Sequence, residues 1–272
     1  MTVEQYNAYA KQLSELIQLR TFPLAIKWYE KAADVPAEAI FPTRDMHKHM
    51  AMCQVFSYAR MKGQTIAMTT KDHWCWNPLI GYGNVECVPG QPQFDEVVKF
   101  IGIPDKEQAA KFFEKFPRLP LGKYEAVVVA PLTTCTFEPD VIMIYSTPFK
   151  INYLTRCIKS ILGGHFTSVF DGIDSCIYCT VPTFQTGEFR VTLPDPGEVE
   201  RARARDDEVI LTVPPAKFEA LVKSVENMSK MMKADDKMLE IPLDFPRPPF
   251  YNRLFEIWGL EQGEDWDHSA GR

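Results

Sequence analysis

The sequence predicts an α+β fold: one domain over residues 1–272, built as a mixed β-sheet flanked by helices. Three observations carry this expectation. Apolar residues recur at helical spacing in several stretches, as in Tyr6, Tyr9, Leu13, Leu16 and Ile17. Continuous β-branched runs, Tyr124–Leu132 (YEAVVVAPL) and Val141–Tyr145 (VIMIY), read as buried strands that pair with each other. Helices and strands mix without a regular βαβα rhythm, and no internal repeat, low-complexity tract or linker interrupts them, which favours α+β over a doubly wound sheet. A chain of 272 residues is long enough to bury a full core.

Taken in order, Thr2 and Gln5 form a capping box for a first helix that ends before Thr21-Phe22-Pro23. Leu24–Trp28 (LAIKW) follows as a strand, and residues 31–44 are irregular. A helix from about Arg44 to Lys62 places Cys53 mid-helix, with Gly63 as its stop. Thr65–Thr69 is a short strand leading into a Trp-rich turn at Cys75. Phe94–Phe100 and Asp105–Phe116 are short helices, the second with acidic residues near its start, where they complement the helix dipole. Thr147-Pro148 opens a helix over Phe149–Leu162, stopped by Gly163-Gly164. Beyond it come a strand at Phe189–Leu193, a turn at Pro194–Gly197, a charged stretch and a strand at Glu208–Val213. A helix over Pro215–Met232 and a short one over Phe250–Trp258 complete the core, which spans about 4–258. The acidic end, 259–272, reads as a loose tail.

Composition narrows the function classes. The formal charge of −6 offers no basic stripe, so nucleic acid is not an expected partner. No apolar run approaches the roughly 18–20 residues of a membrane span. The N-terminus lacks the basic and apolar regions of a signal peptide, which points to the cytoplasm and to reduced thiols. Seven cysteines, an odd number at scattered spacing, do not form a disulfide scaffold.

The question is therefore which thiols pack and which carry chemistry. Cys157 lies on an apolar helix face, where free cysteine commonly packs. Cys135 and Cys87 read as structural for similar reasons. Cys53 stands four residues after His49, so the two share a helix face, with Arg60 beyond them. Cys75 lies between Trp74 and Trp76, just after His73, in a turn that offers backbone N–H groups and apolar cover, both of which a metal thiolate needs. Cys176 and Cys179 form a C-x-x-C with three readings: a redox dithiol, half of a zinc site, or a contributor to an iron–sulfur cluster. There is no second C-x-x-C, and no βαβ unit precedes this one. The cluster reading fits best, because soft thiolates select iron–sulfur or zinc over hard cations. Three ligands, Cys53, Cys75 and Cys176, would leave one iron of a [4Fe-4S] cluster open for a Lewis-acid role, whereas four would leave an electron carrier. His49, His73 and Arg60 are the catalytic candidates. The stretch Arg201–Glu208 (RARARDDE) reads as a solvated loop, with Arg203 or Arg205 able to clamp a carboxylate or phosphate. Nucleotide-binding glycine loops, G-x-S-x-G and H-E-x-x-H are absent.

Several stretches together resemble the archaeal-type cysteine-rich family called domain of unknown function 169. They are FPLAIKW, CQVFSYARMKG, CWNPLIGYG, GGHFTSVFDGIDSC and FRVTLPDPGEVERARARDDEVILTVP, in that order over residues 20–214. The resemblance implies recurring cysteines at Cys53, Cys75 and Cys176, and an iron–sulfur or other metal role in anaerobic metabolism. It departs at Asp195, where the family pattern carries a cysteine. Asp195 would then be a harder substitute ligand, with Cys179 the other candidate for a fourth position. The expectation is a cytoplasmic iron–sulfur protein, an oxidoreductase or lyase acting on a small molecule or serving a redox partner protein. Zinc is the alternative cofactor, and a metal-free binding protein or a dithiol oxidoreductase the alternative function. A homo-oligomer is compatible with the sequence.

Overall fold

Proline sets many of the helix starts. Its fixed φ and missing N–H suit the first helical position, where no intrahelical donor is needed. In a computed structural model of the chain, which describes residues 1–169 and 172–232 together with Arg253 and 256–259, helices α2 (Pro42–Met46), α5 (Pro92–Ile101), α7 (Pro148–Leu162) and α10 (Pro196–Ala202) all open on proline. Helix α1 (Val3–Leu16) opens with the expected capping box between Thr2 and Gln5. The remaining helices are α3 (Met52–Lys62), α4 (Trp76–Gly81), α6 (Lys106–Lys115), α8 (Ser175–Tyr178), α9 (Val181–Thr186) and α11 (Pro215–Met232).

Six strands form one sheet in the order β2-β3-β1-β4-β6-β5. They are β1 (Leu24–Tyr29), β2 (Ile66–Thr69), β3 (Ala126–Pro131), β4 (Val141–Ser146), β5 (Arg190–Thr192) and β6 (Val209–Val213). The class is α+β, and every strand pair in the sheet is antiparallel, where a mixed sheet was expected. Among the described residues, parallel pairing is confined to two isolated bridges, Ile40–Ile66 and Met50–His73. Strands β3 and β4 do not pair directly as expected, because β1 is inserted between them. All residues of β3, β4 and β6 are buried, so both sheet faces are covered. One face (Leu24, Ile26, Trp28, Met143, Tyr145, Ile210) packs with α3, α4, α8 and the aromatic cluster of α5 and α6. Helix α7 packs on β6. It is tied to α11 by Tyr153–Val225 and Ser160–Ser224 hydrogen bonds, and α1 is tied to α11 by Tyr9–Glu219.

The expected long helix over 44–62 is two helices. His47 takes a left-handed conformation (φ 53°) and closes α2, and α3 begins only at Met52. Between them the backbone of Met50 pairs with the 72–74 segment: its N–H donates to Asp72 O at 2.8 Å, and Trp74 N–H donates to its carbonyl at 3.4 Å. A nonlocal bridge thus overrides a locally continuous helical pattern. A second difference lies at 196–202, expected as turn and charged loop. It is a helix, capped by Asp195, whose Oδ1 accepts from Glu198 N–H at 2.7 Å.

The compact unit that carries this sheet is Met1–Asn227, and Met228–Arg272 is a second. In the second unit Arg253 pairs with Glu256 at 2.9 Å. Most of the expected 250–258 helix, and the tail beyond Gly259, lie outside the described residues.

Candidate functional site: a three-thiol cleft

The Met50 bridge has a chemical consequence. By stitching residues 50–53 to 72–75, it sets the first turn of α3, with Cys53, beside the N-cap of α4, which is Cys75. Cys53 and Cys75 share a small apolar cluster with Ala51 and Ala202. The Ser57 hydroxyl donates to the carbonyl of Ala202 and so fastens α3 to α10. Helix α4 in turn packs on α8 so closely that a Cβ on Gly81 would fall within 3.0 Å of three side-chain carbons of Ile177. Cys176 is the residue before Ile177. Three segments distant in sequence thereby meet, and Cys176 lies in the electrostatic range of Cys75, Cys53, Asp195 and Cys179.

Burial is the main influence on these thiols. It pushes Cys53 up to about 12, with Glu198 and Asp195 adding to the shift and Arg201 opposing it. It raises Cys75 as well, against the Asn77 backbone N–H and Arg201. Cys176 is raised well above its ordinary value by burial, then by Cys75, Asp195 and Cys53. Each thiolate would therefore repel the others, and joint ionisation needs a cation among them. Cys75 is the least buried of the three. It lines a cleft of about 450 Å³ with Trp74, Trp76, Phe100, Asp195, Gly197 and Arg201. The Arg201 guanidinium stacks on the Trp74 ring at 5.2 Å. Gly197 makes room for it, since a Cβ there would collide with the guanidinium.

The other sequence candidates are placed less favourably. Asp195 already uses both carboxylate oxygens: Oδ1 caps α10, and Oδ2 accepts from the Ser175 N–H at 3.2 Å, with the Ser175 hydroxyl 3.0 Å away. Cys179 is fully buried and its thiol donates to Cys176 O at 3.5 Å, within a helical turn. Burial raises both C-x-x-C thiols well above the ordinary range, the reverse of an exposed attacking thiolate. His49 lies exposed in the break between α2 and α3, so it does not share a helix face with Cys53. His73 is buried with Nδ1 unpartnered, and burial lowers its imidazole to about 4, so it is neutral at pH 7. Arg60 is taken up by an ion pair with Glu208, its Nη1 donating at 2.9 and 3.0 Å. Cys135 donates to Asn7 Oδ1 at 3.3 Å, Cys157 is sealed under α7, and Cys87 packs in the main core.

Sequence reasoning missed Glu198. Its carboxylate is buried against Tyr145 O–H and Ser175 O–H (2.8 Å), which both donate to it. Burial pushes it up to about 7, against those two hydrogen bonds. The signal was present: Asp195 and Glu198 bracket Pro196 in a D-P-x-E pattern that marks a capped helix start, not a solvated loop. Asn77 was missed too. It donates to Asp174 and to Ile173 O at 3.3 Å, joining the start of α4 to the segment leading into Cys176.

In kind, the donors suit a soft metal centre: three thiols in mutual range, one opening on a cleft with an aromatic wall. Among the described residues no group of three or more His, Cys, Asp or Glu is spaced to hold a metal ion, so ligation would require the side chains to close together. The family model for domain of unknown function 169 (DUF169), described as uncharacterised ArCR, matches residues 12–224. The chain belongs to this family. All three cleft thiols fall inside its DUF169 region. A similar protein, uncharacterized protein MJ0308 of Methanocaldococcus jannaschii, is 27% identical over 236 residues, which is 85% of this chain and 98% of that relative. No solved structure matches. No helix among the described residues is long and apolar enough to cross a membrane.

Proposed function

We propose that this DUF169 protein binds an iron–sulfur cluster through Cys53, Cys75 and Cys176 and acts as a redox protein or metalloenzyme on a small molecule. The observation that supports the reading is the meeting of three thiols from α3, α4 and α8 beside one cleft. A cationic centre would relieve the mutual repulsion of their thiolates. The cluster supplies electron transfer or, with three protein ligands, a Lewis-acidic iron. The chain's own residues supply the rest. Trp74, Trp76 and Phe100 give Cys75 an aromatic surround, and Arg201 adds a positive charge to the cleft lining, suited to an anionic group.

The test is anaerobic reconstitution with iron and sulfide, followed by iron and acid-labile sulfide analysis and visible absorption. Cys53→Ser, Cys75→Ser and Cys176→Ser should each abolish the visible band, and Cys157→Ser should leave it intact. A protein that takes up no iron, or zinc without colour, overturns the cluster.

A further inference from the structure

A second cavity, of about 690 Å³ and with none of the thiols in its lining, lies between the C-terminal half of α1, the connector into β1, the end of α3, the turn after β3 and the segment before β6. Its size is that of a small-molecule site. Four cationic side chains line it, Lys11, Arg20, Arg60 and Arg205, against two acidic ones, Glu15 and Glu208. Arg20 is paired with Asp207 and Arg60 with Glu208. Neither Lys11 nor Arg205 has an ion-pair partner among the described residues, so the surplus is positive. This alone would describe a solvated patch.

A second observation distinguishes the cavity. Three of its lining residues hold buried polar atoms without a hydrogen-bond partner: Arg60 Nε and Nη2, Thr21 Oγ1 and Thr133 Oγ1. Arg60 is 1% exposed and Thr133 8%, so bulk water does not serve them. An unmet buried donor costs about 1–3 kcal/mol, and several at one cavity form a set that oxygen acceptors would satisfy. We propose that this cavity binds an anionic small molecule, Lys11 and Arg205 supplying counter-charge and the side chains of Arg60, Thr21 and Thr133 turning toward it to donate to its carboxylate or phosphoryl oxygens. A guanidinium presenting two N–H groups in a fixed fork favours such planar or tetrahedral oxyanions. The inference does not depend on a cluster at the thiols.

The experiment is calorimetric titration of the full chain with inorganic phosphate and, separately, succinate, against sodium chloride at matched ionic strength. Saturable binding of either is expected. Phosphate alone would assign a phosphoester, succinate alone an organic acid, and both would assign the shared oxyanion chemistry. Arg205→Ala and Thr133→Val should each weaken binding about tenfold. Thr133→Val should do so with no loss of thermal stability in the ligand-free protein, because the hydroxyl it removes has no partner to lose. Cys53→Ser should bind as the parent does, which separates this site from the cluster reading. No response beyond chloride, or equal binding by the parent and both cavity variants (an adventitious ion only), overturns the proposal.

Discussion

Removing the negative partner of Arg60 should be one of the most damaging single changes in the chain. Arg60 and Glu208 have side chains 1% and 3% exposed, so solvent barely screens them. Nη1 reaches both Glu208 oxygens, at 2.9 and 3.0 Å, and Oε2 also accepts from Arg205 N–H at 3.0 Å. The guanidinium lies over the Tyr145 ring at 4.0 Å. Glu208→Gln keeps the shape and one acceptor but leaves a full positive charge buried without its counter-ion. Breaking a buried pair from one side costs about 3–5 kcal/mol. The retained acceptor places this variant near the lower end, about 3 kcal/mol, which moves a urea midpoint by about 1 M or more. Replacing both partners by apolar residues, Arg60→Met with Glu208→Met, should cost far less than the sum of the singles, since no lone charge remains. Its residual loss is the ring contact, about 2 kcal/mol when desolvated, together with the acceptor that Arg205 N–H loses, about 1–3 kcal/mol. Equilibrium urea unfolding of the parent, Arg60→Met, Glu208→Met and the double variant gives the cycle, with Glu208→Gln measured beside them. A loss under about 1 kcal/mol for Glu208→Gln, or strict additivity in the double variant, refutes the reasoning.

Two further outcomes follow from the site. Glu198 has its carboxyl raised from 4.5 to about 7, chiefly by burial, so between those values the folded metal-free protein holds a proton that the unfolded chain has released. Its stabilising share is complete below about pH 4.5 and is lost as pH rises through about 7, an interval worth about 3 kcal/mol. Glu198→Gln should flatten the fall in stability between pH 5 and 8, read from denaturation midpoints, and an unchanged slope would show that Glu198 is not the group responsible. Gly81→Ala should destabilise the fold by about 1–3 kcal/mol through overpacking on Ile177. It should also lower iron uptake on reconstitution by parting α4 from α8, and full uptake in a folded variant would detach Gly81 from the thiol site.

What was legible in the sequence was set locally. The runs at β3 and β4 are buried throughout, and buried strands covered on both faces leave an apolar run with no alternation to misread. The Thr2–Gln5 box and the Gly63 stop are likewise contained within a few residues. What failed was decided by distant chain. Nothing within 44–62 announces a break, because there is no proline or glycine between Arg44 and Lys62. The break is imposed by the hydrogen bonds Met50 makes with the 72–74 segment. The same bridge removes His49 from the face of Cys53 and brings Cys53 to Cys75, so one nonlocal contact undoes one expected pairing and creates the one that shapes the site.

The charged stretch around Glu198 shows the opposite failure, a local signal read with the wrong weight. Its charges suggested solvent, yet Glu198 and Glu208 are buried, at 2% and 5% exposure, while Arg201 and Arg205 remain outside at two different cavities. A carboxylate is rarely buried without a partner, so each inward acid implies donors waiting for it: Tyr145 and Ser175 for one, Arg60 for the other. Tyr145 is common to both, since its ring carries Arg60 and its hydroxyl serves Glu198. A Tyr145→Phe variant separates the two roles. The ring contact is kept and the hydroxyl is lost, so the Arg60–Glu208 coupling energy should persist while the Glu198 carboxylate loses a donor and its pH window moves upward. A loss of that coupling in Tyr145→Phe would mean that the two buried acids are held by one polar network and not by two independent ones.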